Sequence, residues 1–316
     1  MSSSKDVSAT DAAAAVPAPP TTPVPSSAPV STTEVAAPAT LERPSLGAAL
    51  FLSELSVLFR RTRTWAMLGS LALIPILVAV AIRVSTADGT TGRGPAFLDT
   101  ITQNGLFVAL TGLTLAIPLF LPLTVGVVAG DTIAGEANLG TLRYLLISPA
   151  GRMRLLVVKY VGAAAFCIVA TAVVVIAGIA IGAALFPIGP VTLLSGDTIS
   201  IAEYLWRCVL LAAYVTVSML GLSAVGLFIS TLTTVPVGAM VATVVVSTAA
   251  QIMGTLPQLE WLHPWLLTNY WLGFSELITQ PISLASFGAN ALLQLGYIAV
   301  FGALAYGRFA TKDILS

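Results

Sequence analysis

The residues able to do chemistry in this chain crowd into one stretch. Gly130 to Lys159 reads GDTIAGEANLGTLRYLLISPAGRMRLLVVK and holds four of the fourteen Lys and Arg, together with Asp131 and Glu136. The acids come first and the bases follow, with Pro149-Ala150-Gly151 breaking the chain before Arg152. Between them Leu139, Leu142 and Leu146 fall at i, i+3 and i+7, one apolar edge of a short helix, while Arg143 and Tyr144 project elsewhere. A helix of this kind presses into a groove on a partner, or rests on lipid headgroups as a basic interfacial loop. The residues alone fit both readings. Asp131 is expected to end the apolar run before it, and Lys159 to start the one after.

Catalytic patterns are missing. The sequence has no HExxH for zinc, no GxSxG nucleophile turn and no GxxxxGK[ST] phosphate loop. Its one histidine, His263, has no partner that the sequence advertises. Cys167 and Cys208 lie in or beside apolar runs and read as small packing residues; two cysteines support neither a disulfide framework nor a zinc spacing. The expectation is a protein that is not itself an enzyme, with no catalytic, cofactor or metal residues.

The elements that must carry the polar stretch are apolar. Hydrophobic residues make up 57% and charged residues 9%, and mean hydropathy is +0.95, far above soluble domains. Crossing hydrocarbon takes about 20 apolar residues. Six runs approach that length: Trp65–Ile82, Leu106–Val128, Tyr160–Phe186, Tyr204–Ile229, Val235–Leu256 and Ala289–Tyr306. The fold class is therefore an all-α, multi-pass membrane protein. A net charge of zero argues against nucleic acid as a partner.

Lys and Arg placement sets the topology. With both termini cytoplasmic, eleven of the fourteen fall inside, and only Arg83, Arg93 and Arg207 fall outside. Arg83 and Arg207 are expected at the outer ends of their spans, reaching toward headgroups. Residues 1–44 are rich in Ala, Pro, Ser and Thr and lack aromatics, the composition of a disordered leader. Residues 45–64 then read as an amphipathic interfacial helix, with Phe51, Leu55, Leu58 and Phe59 on one stripe and Arg60, Arg61 and Arg63 at its end. Residues 65–316 form the six-span domain, with a polar loop over 130–159 and an outer hairpin over 257–288. That hairpin holds Trp261, Trp265, Tyr270 and Trp271 and reads either as short helices capping the bundle or as an aromatic-anchored loop.

Inside the second run, Pro118 and Pro122 share a face and predict a bend. Gly126 with Gly130, and Gly178 with Gly182, have the GxxxG spacing that lets helix backbones approach, within the chain or in a dimer. No Asp, Glu or Lys lies near the centre of a run, which disfavours an ion-coupled secondary carrier.

The stretch resembles the signature segment of ABC-2 type permeases, the membrane subunits of one class of ATP-binding-cassette transporters. Glu136, Gly140, Thr141, Leu145, Leu146, Ser148, Pro149, Arg152 and Lys159 match its pattern, with Asp131 and Gly135 as the acidic approach. Ala137-Asn138-Leu139 departs from it, because the family often carries further charge there. More loosely, the resemblance extends over Ser45 to Ser316.

That resemblance implies the ABC-2 permease fold, and a coupling helix between spans two and three seated on a separate ATPase. Glu136, Gly140, Thr141, Leu142, Arg143, Leu145, Leu146, Ser148, Pro149 and Arg152 would make the partner contact, and the turn Ser230–Thr234 a second one. ATP and magnesium would be held by the ATPase subunit. Other implied partners are a second permease copy or homologue and membrane lipids, in a bacterial plasma membrane. The function expected is export of a hydrophobic or amphiphilic compound. A secondary carrier or a non-transporting scaffold for an ATPase are the alternatives.

Overall fold

The structure, a computed structural model, describes residues 46–87, 101–102, 104–140, 152–192 and 197–311. The expected leader over 1–44 lies outside them. The described chain is mostly helical. Helix α1 (Leu46–Arg60) and α2 (Thr62–Ala87) precede α3 (Phe107–Ala116) and α4 (Phe120–Asn138). After α5 (Arg152–Leu185), β1 (Val191–Thr192) pairs antiparallel with β2 (Thr198–Ile199). Then come α6 (Ile201–Leu232), α7 (Pro236–Gly254), two 3-10 segments (Pro257–Trp265 and Gly273–Leu277) and α8 (Ala285–Thr311). By length and composition six helices suffice to cross a membrane: α2, α4, α5, α6, α7 and α8. This is a multi-pass membrane protein.

Helix α6 is the hub, packed against α4, α5, α7 and α8. Two thirds of its apolar window (67%) is buried, against 11% for α8, so α8 turns most of its leucines and valines outward. Such a helix is stable in hydrocarbon and would be an aggregation surface in water. Ser200 caps α6 by accepting from the Glu203 N–H at 3.2 Å, and Pro236 opens α7 where its missing N–H costs nothing.

The second span bends where the prolines predict, and more sharply than a kink. Helix α3 stops at Ala116, residues 117–119 form a turn, and Leu119 leaves the helical region at φ −132°, ψ −54°. Pro118 sits in the break, and Pro122 falls in the first turn of α4, where no intrahelical acceptor waits for an N–H. Gln251 of α7 donates from Nε2 to the Pro118 carbonyl at 2.7 Å.

Both glycine pairs are filled within the chain. A Cβ on Gly130 would lie 2.7 Å from the Met240 nitrogen, and one on Gly126 would lie 3.2 Å from the Val244 side chain. On Gly178 it would lie 2.5 Å from the Ala109 Cα, and on Gly182 it would strike the Gly105 carbonyl. The first pair admits α7 and the second admits α3.

At one end of the bundle the connector from Pro257 to Leu284 is short-helical and irregular, and spans reach up to hold its carbonyls. Arg207 donates to Leu277 and Thr279, Tyr214 to Tyr270, Gln294 to Leu267, and Tyr297 to Trp265, at 2.5 to 3.1 Å. Irregular backbone persists at membrane depth only where protein satisfies it this way. Trp261 and Trp265 stay 72% and 70% exposed while Trp271 is buried. The arrangement is the capping form of the two expected. Arg207 corrects the expectation that it reaches headgroups: it is 1% exposed, paired with Glu203 at 2.9 Å and enclosed under the cap. Arg83 is exposed.

Candidate functional site

The opposite end of the bundle gathers the charges. A small second core there joins Ile133 of α4, Leu155 and Leu156 of α5, Leu227 of α6, and Ala305 and Phe309 of α8. The last turns of α8 and the start of α5 therefore meet at the end where α1 lies.

Helix α1 reaches this end through a sharp joint at Arg61. Thr64 Oγ1 donates to the Leu58 carbonyl at 2.7 Å and Trp65 Nε1 to the Phe59 carbonyl at 2.8 Å. These carbonyls belong to the last turn of α1, which has no intrahelical donors left. The joint aims Arg61 and Arg63 at one carboxylate. Their guanidinium groups donate to Asp131 Oδ2 at 2.7 and 2.6 Å. Arg61 and Arg63 are close to half exposed, Asp131 only 12%.

Beside them Lys159 is the buried centre of a second pairing. It is 4% exposed, and its ammonium donates to Glu54 Oε1 at 2.8 Å and to Glu136 Oε1. Three elements thus share one charge: α1 through Glu54, the last turn of α4 through Glu136, and α5 through Lys159. The cluster holds three carboxylates and three cations and sums to zero. Its side chains line a small cavity of about 50 Å³ together with Val57, Leu58 and Thr132. Each charge faces an opposite one within the set, so its chemistry is mechanical: it ties helix ends together.

A third tie runs through Ser230 near the end of α6. Its hydroxyl donates to the Gly130 carbonyl at 2.7 Å and accepts from the Ile133 and Ala134 N–H groups at 3.0 and 2.8 Å. The side chain has entered the hydrogen-bond ladder of α4 at the point where the charged segment begins.

Of the residues expected to contact a partner, the structure brings Glu136 into this network. Gly140 has φ +70°, a left-handed conformation that terminates α4 and suits glycine. The backbone of Arg152 opens α5. Thr141, Leu142, Arg143, Leu145, Leu146, Ser148 and Pro149 lie outside the described residues. Asp131 does not end the span as expected. Helix α4 continues to Asn138, because Arg61, Arg63 and Lys159 neutralise the acids that would otherwise stop an apolar helix. The polar connection shrinks accordingly to residues 139–151, with Leu139 at its start 71% exposed. In the second expected contact, Ser230 and Thr231 are buried, which leaves Leu232, Thr234 and Val235 as the exposed part of that turn.

Glu54, Arg61 and Arg63 were not singled out as site residues, and Ser230 was expected only as part of a partner-contact turn, not as a tie into α4. Glu54 carried a signal, as the one acid in an otherwise uncharged helix up to Arg60, opposite a lone lysine in a distant apolar run. No cluster of three metal-ligating side chains occurs among the described residues.

A family model described as "Protein of unknown function (DUF2705)" matches residues 72–315. The match takes in Asp131, Glu136, Lys159 and Ser230 and begins after Glu54, Arg61 and Arg63. No curated protein matches the chain.

Proposed function

The chain belongs to the DUF2705 family, whose function is unknown, and we propose that it is the permease subunit of an ATP-driven exporter of the ABC-2 type. Its fold in this reading is that of ABC-2 permeases, with α1 as an amphipathic helix at the cytoplasmic face and both termini cytoplasmic in a bacterial plasma membrane. Residues 139–151 are the coupling segment that docks on a separate ATPase, which holds ATP and magnesium. A second copy or a homologue completes the transporter, and the cargo is hydrophobic or amphiphilic.

The observation that carries this reading is the shared Lys159. A push on the tip between α4 and α5 acts on two helix ends and on α1 at once, because Glu136, Lys159 and Glu54 are joined. Ser230 extends the link into α6. Displacement at the docking segment is thereby passed to four helices instead of being absorbed by a loose loop. The signature residues Glu136, Gly140 and Thr141 through Arg152 surround that tip in sequence.

Co-purification with an ATPase, followed by vanadate-sensitive ATP hydrolysis that depends on this chain, tests the assignment. Glu136→Ala and Thr141→Ala should insert normally and leave hydrolysis running while transport into inverted vesicles falls about tenfold or more. Transport at the normal rate by both variants refutes the coupling role. Transport that persists without any ATPase favours a carrier, and an ATPase held without transport favours a scaffold.

A further inference from the structure

A cavity of about 260 Å³ opens where α7 ends, between the break in the second span and the capping connector. Pro118, Gln251, Thr268, Asn269, Trp271 and Leu272 line it. Its polar groups are unusually idle. Asn269 and Thr268 make no side-chain hydrogen bond among the described residues, and Gln251 uses only its Nε2. Trp271 is 2% exposed, and its Nε1–H has no partner among the described residues.

The enclosed Trp271 indole N–H is costly to leave alone, forfeiting about 1–3 kcal/mol, and half-buried Thr268, exposed Asn269 and the free side-chain carbonyl of Gln251 offer further donors and acceptors around the same cavity. None of the lining residues is charged. A bound ion would have no counter-charge there, whereas a neutral group that both donates and accepts would satisfy amides and hydroxyls together. The volume equals the liquid share of roughly nine waters, the size of a single ring or small head group and below that of drug-sized pockets. The surroundings present exposed Leu119 in the break, Leu123 on α4, and Val245 and Ile252 on α7, which suit an apolar body attached to that group.

We propose that this cavity binds the uncharged, hydrogen-bonding head group of an amphiphile, with its apolar part along α4 and α7. The inference deepens the export reading by naming the head-group chemistry, but binding requires neither ATP nor the ATPase. Its test therefore stands apart from the coupling test.

The protein is labelled with ¹⁵N-tryptophan and held in lipid nanodiscs. The Trp271 indole signal, assigned with Trp271→Phe, is followed during titration with octyl glucoside. Two probes with the same tail, octyl phosphate and octyltrimethylammonium, serve as charged comparisons. If Trp271→Phe does not fold, substituting the other four tryptophans singly assigns the signal by elimination. The expected result is a saturable shift with octyl glucoside alone. Asn269→Leu should bind about tenfold more weakly, the loss of one hydrogen-bonded contact, with the other indole signals unmoved. An unmoved Trp271 signal, an equal response to all three heads, or unchanged affinity in Asn269→Leu overturns the proposal. Any of these results would leave the ATPase assignment untouched.

Discussion

Gln251 supplies to the Pro118 carbonyl, at 2.7 Å, the hydrogen bond that Pro122 cannot. In an unbroken helix that carbonyl would accept from the N–H four residues on, and proline has none. A side chain from another span thus stabilises a break that the second span's own sequence creates. Gln251→Leu should cost about 1 kcal/mol in denaturant or thermal unfolding, the net worth of one hydrogen bond to a half-buried acceptor. In a Pro122→Ala background the N–H returns, and the same substitution should cost clearly less. Equal costs in the two backgrounds would show that the relationship is incidental.

Gly130 is the tightest point between α4 and α7. The atoms that an added methyl would meet are Met240 N and Cα, at 2.7 and 2.9 Å, and backbone cannot rotate away as a side chain can. Gly130→Ala should therefore destabilise by at least about 2 kcal/mol. Gly69, with nothing within 4 Å of the same position, should accept alanine at no cost or with a slight gain. Thermal melts of the two variants side by side decide the matter.

Lys159 is buried between two carboxylates, so removing it leaves Glu54 and Glu136 facing each other without a cation. Lys159→Met should cost about 3–5 kcal/mol. Glu54→Gln removes the more exposed of its partners and should cost about 1 kcal/mol or less. The reverse order would mean that α1 is held mainly by Glu54 and not by the shared lysine.

Arg207 holds two connector carbonyls and Glu203 from a fully buried position. Arg207→Met should free the segment 273–284, read as chymotrypsin cleavage there at least about tenfold faster with the helices intact. Arg207→Lys should rescue only partly, since an ammonium cannot reproduce the planar fork. Cleavage at the parental rate would assign the cap's order to its aromatics instead.

Acid should act on the same cap through Glu276. Its carboxylate accepts from the Ser283 hydroxyl at 3.0 Å and from the Ser286 N–H at 3.3 Å, at the start of α8. The hydrogen bonds from Ser286 and then Ser283 hold it below the ordinary carboxylate range. A depressed folded-state pKa contributes stability that is complete above the unfolded value and is lost as pH falls through the folded one. Protection factors over 273–288, corrected for the intrinsic pH dependence of amide exchange, should stay constant from neutral pH down to about 5 and decline only below the ordinary carboxylate value of about 4. Glu276→Gln should remove that decline.

The six apolar helices were legible because a bilayer demands long uncharged runs, and few soluble alternatives share that pattern. The break in the second span was legible from Pro118 and Pro122, although its form as a turn with a borrowed donor from Gln251 was not. Asp131 and Glu136 stood out as acids, but nothing local shows that Arg61, Arg63 and Lys159 would neutralise them and let α4 run on to Asn138. Those pairings join residues dozens of positions apart, and hydrophobic periodicity carries no record of them. Arg207 misled for the same reason: a lone arginine at a span end reads as headgroup-seeking until the connector that buries it is in place. Gly140 was picked out through a resemblance and turns out to have a backbone reason of its own, its left-handed conformation.

The four glycines of the two GxxxG pairs already receive α7 and α3, which leaves neither stripe open to a neighbour. Glycines with nothing within 4 Å of an added Cβ lie elsewhere, at Gly69 on α2 and at Gly288, Gly296 and Gly302 on α8. Both paired stripes are spent on the bundle's own folding, so close backbone approach by any neighbour falls to these outward-turned helices.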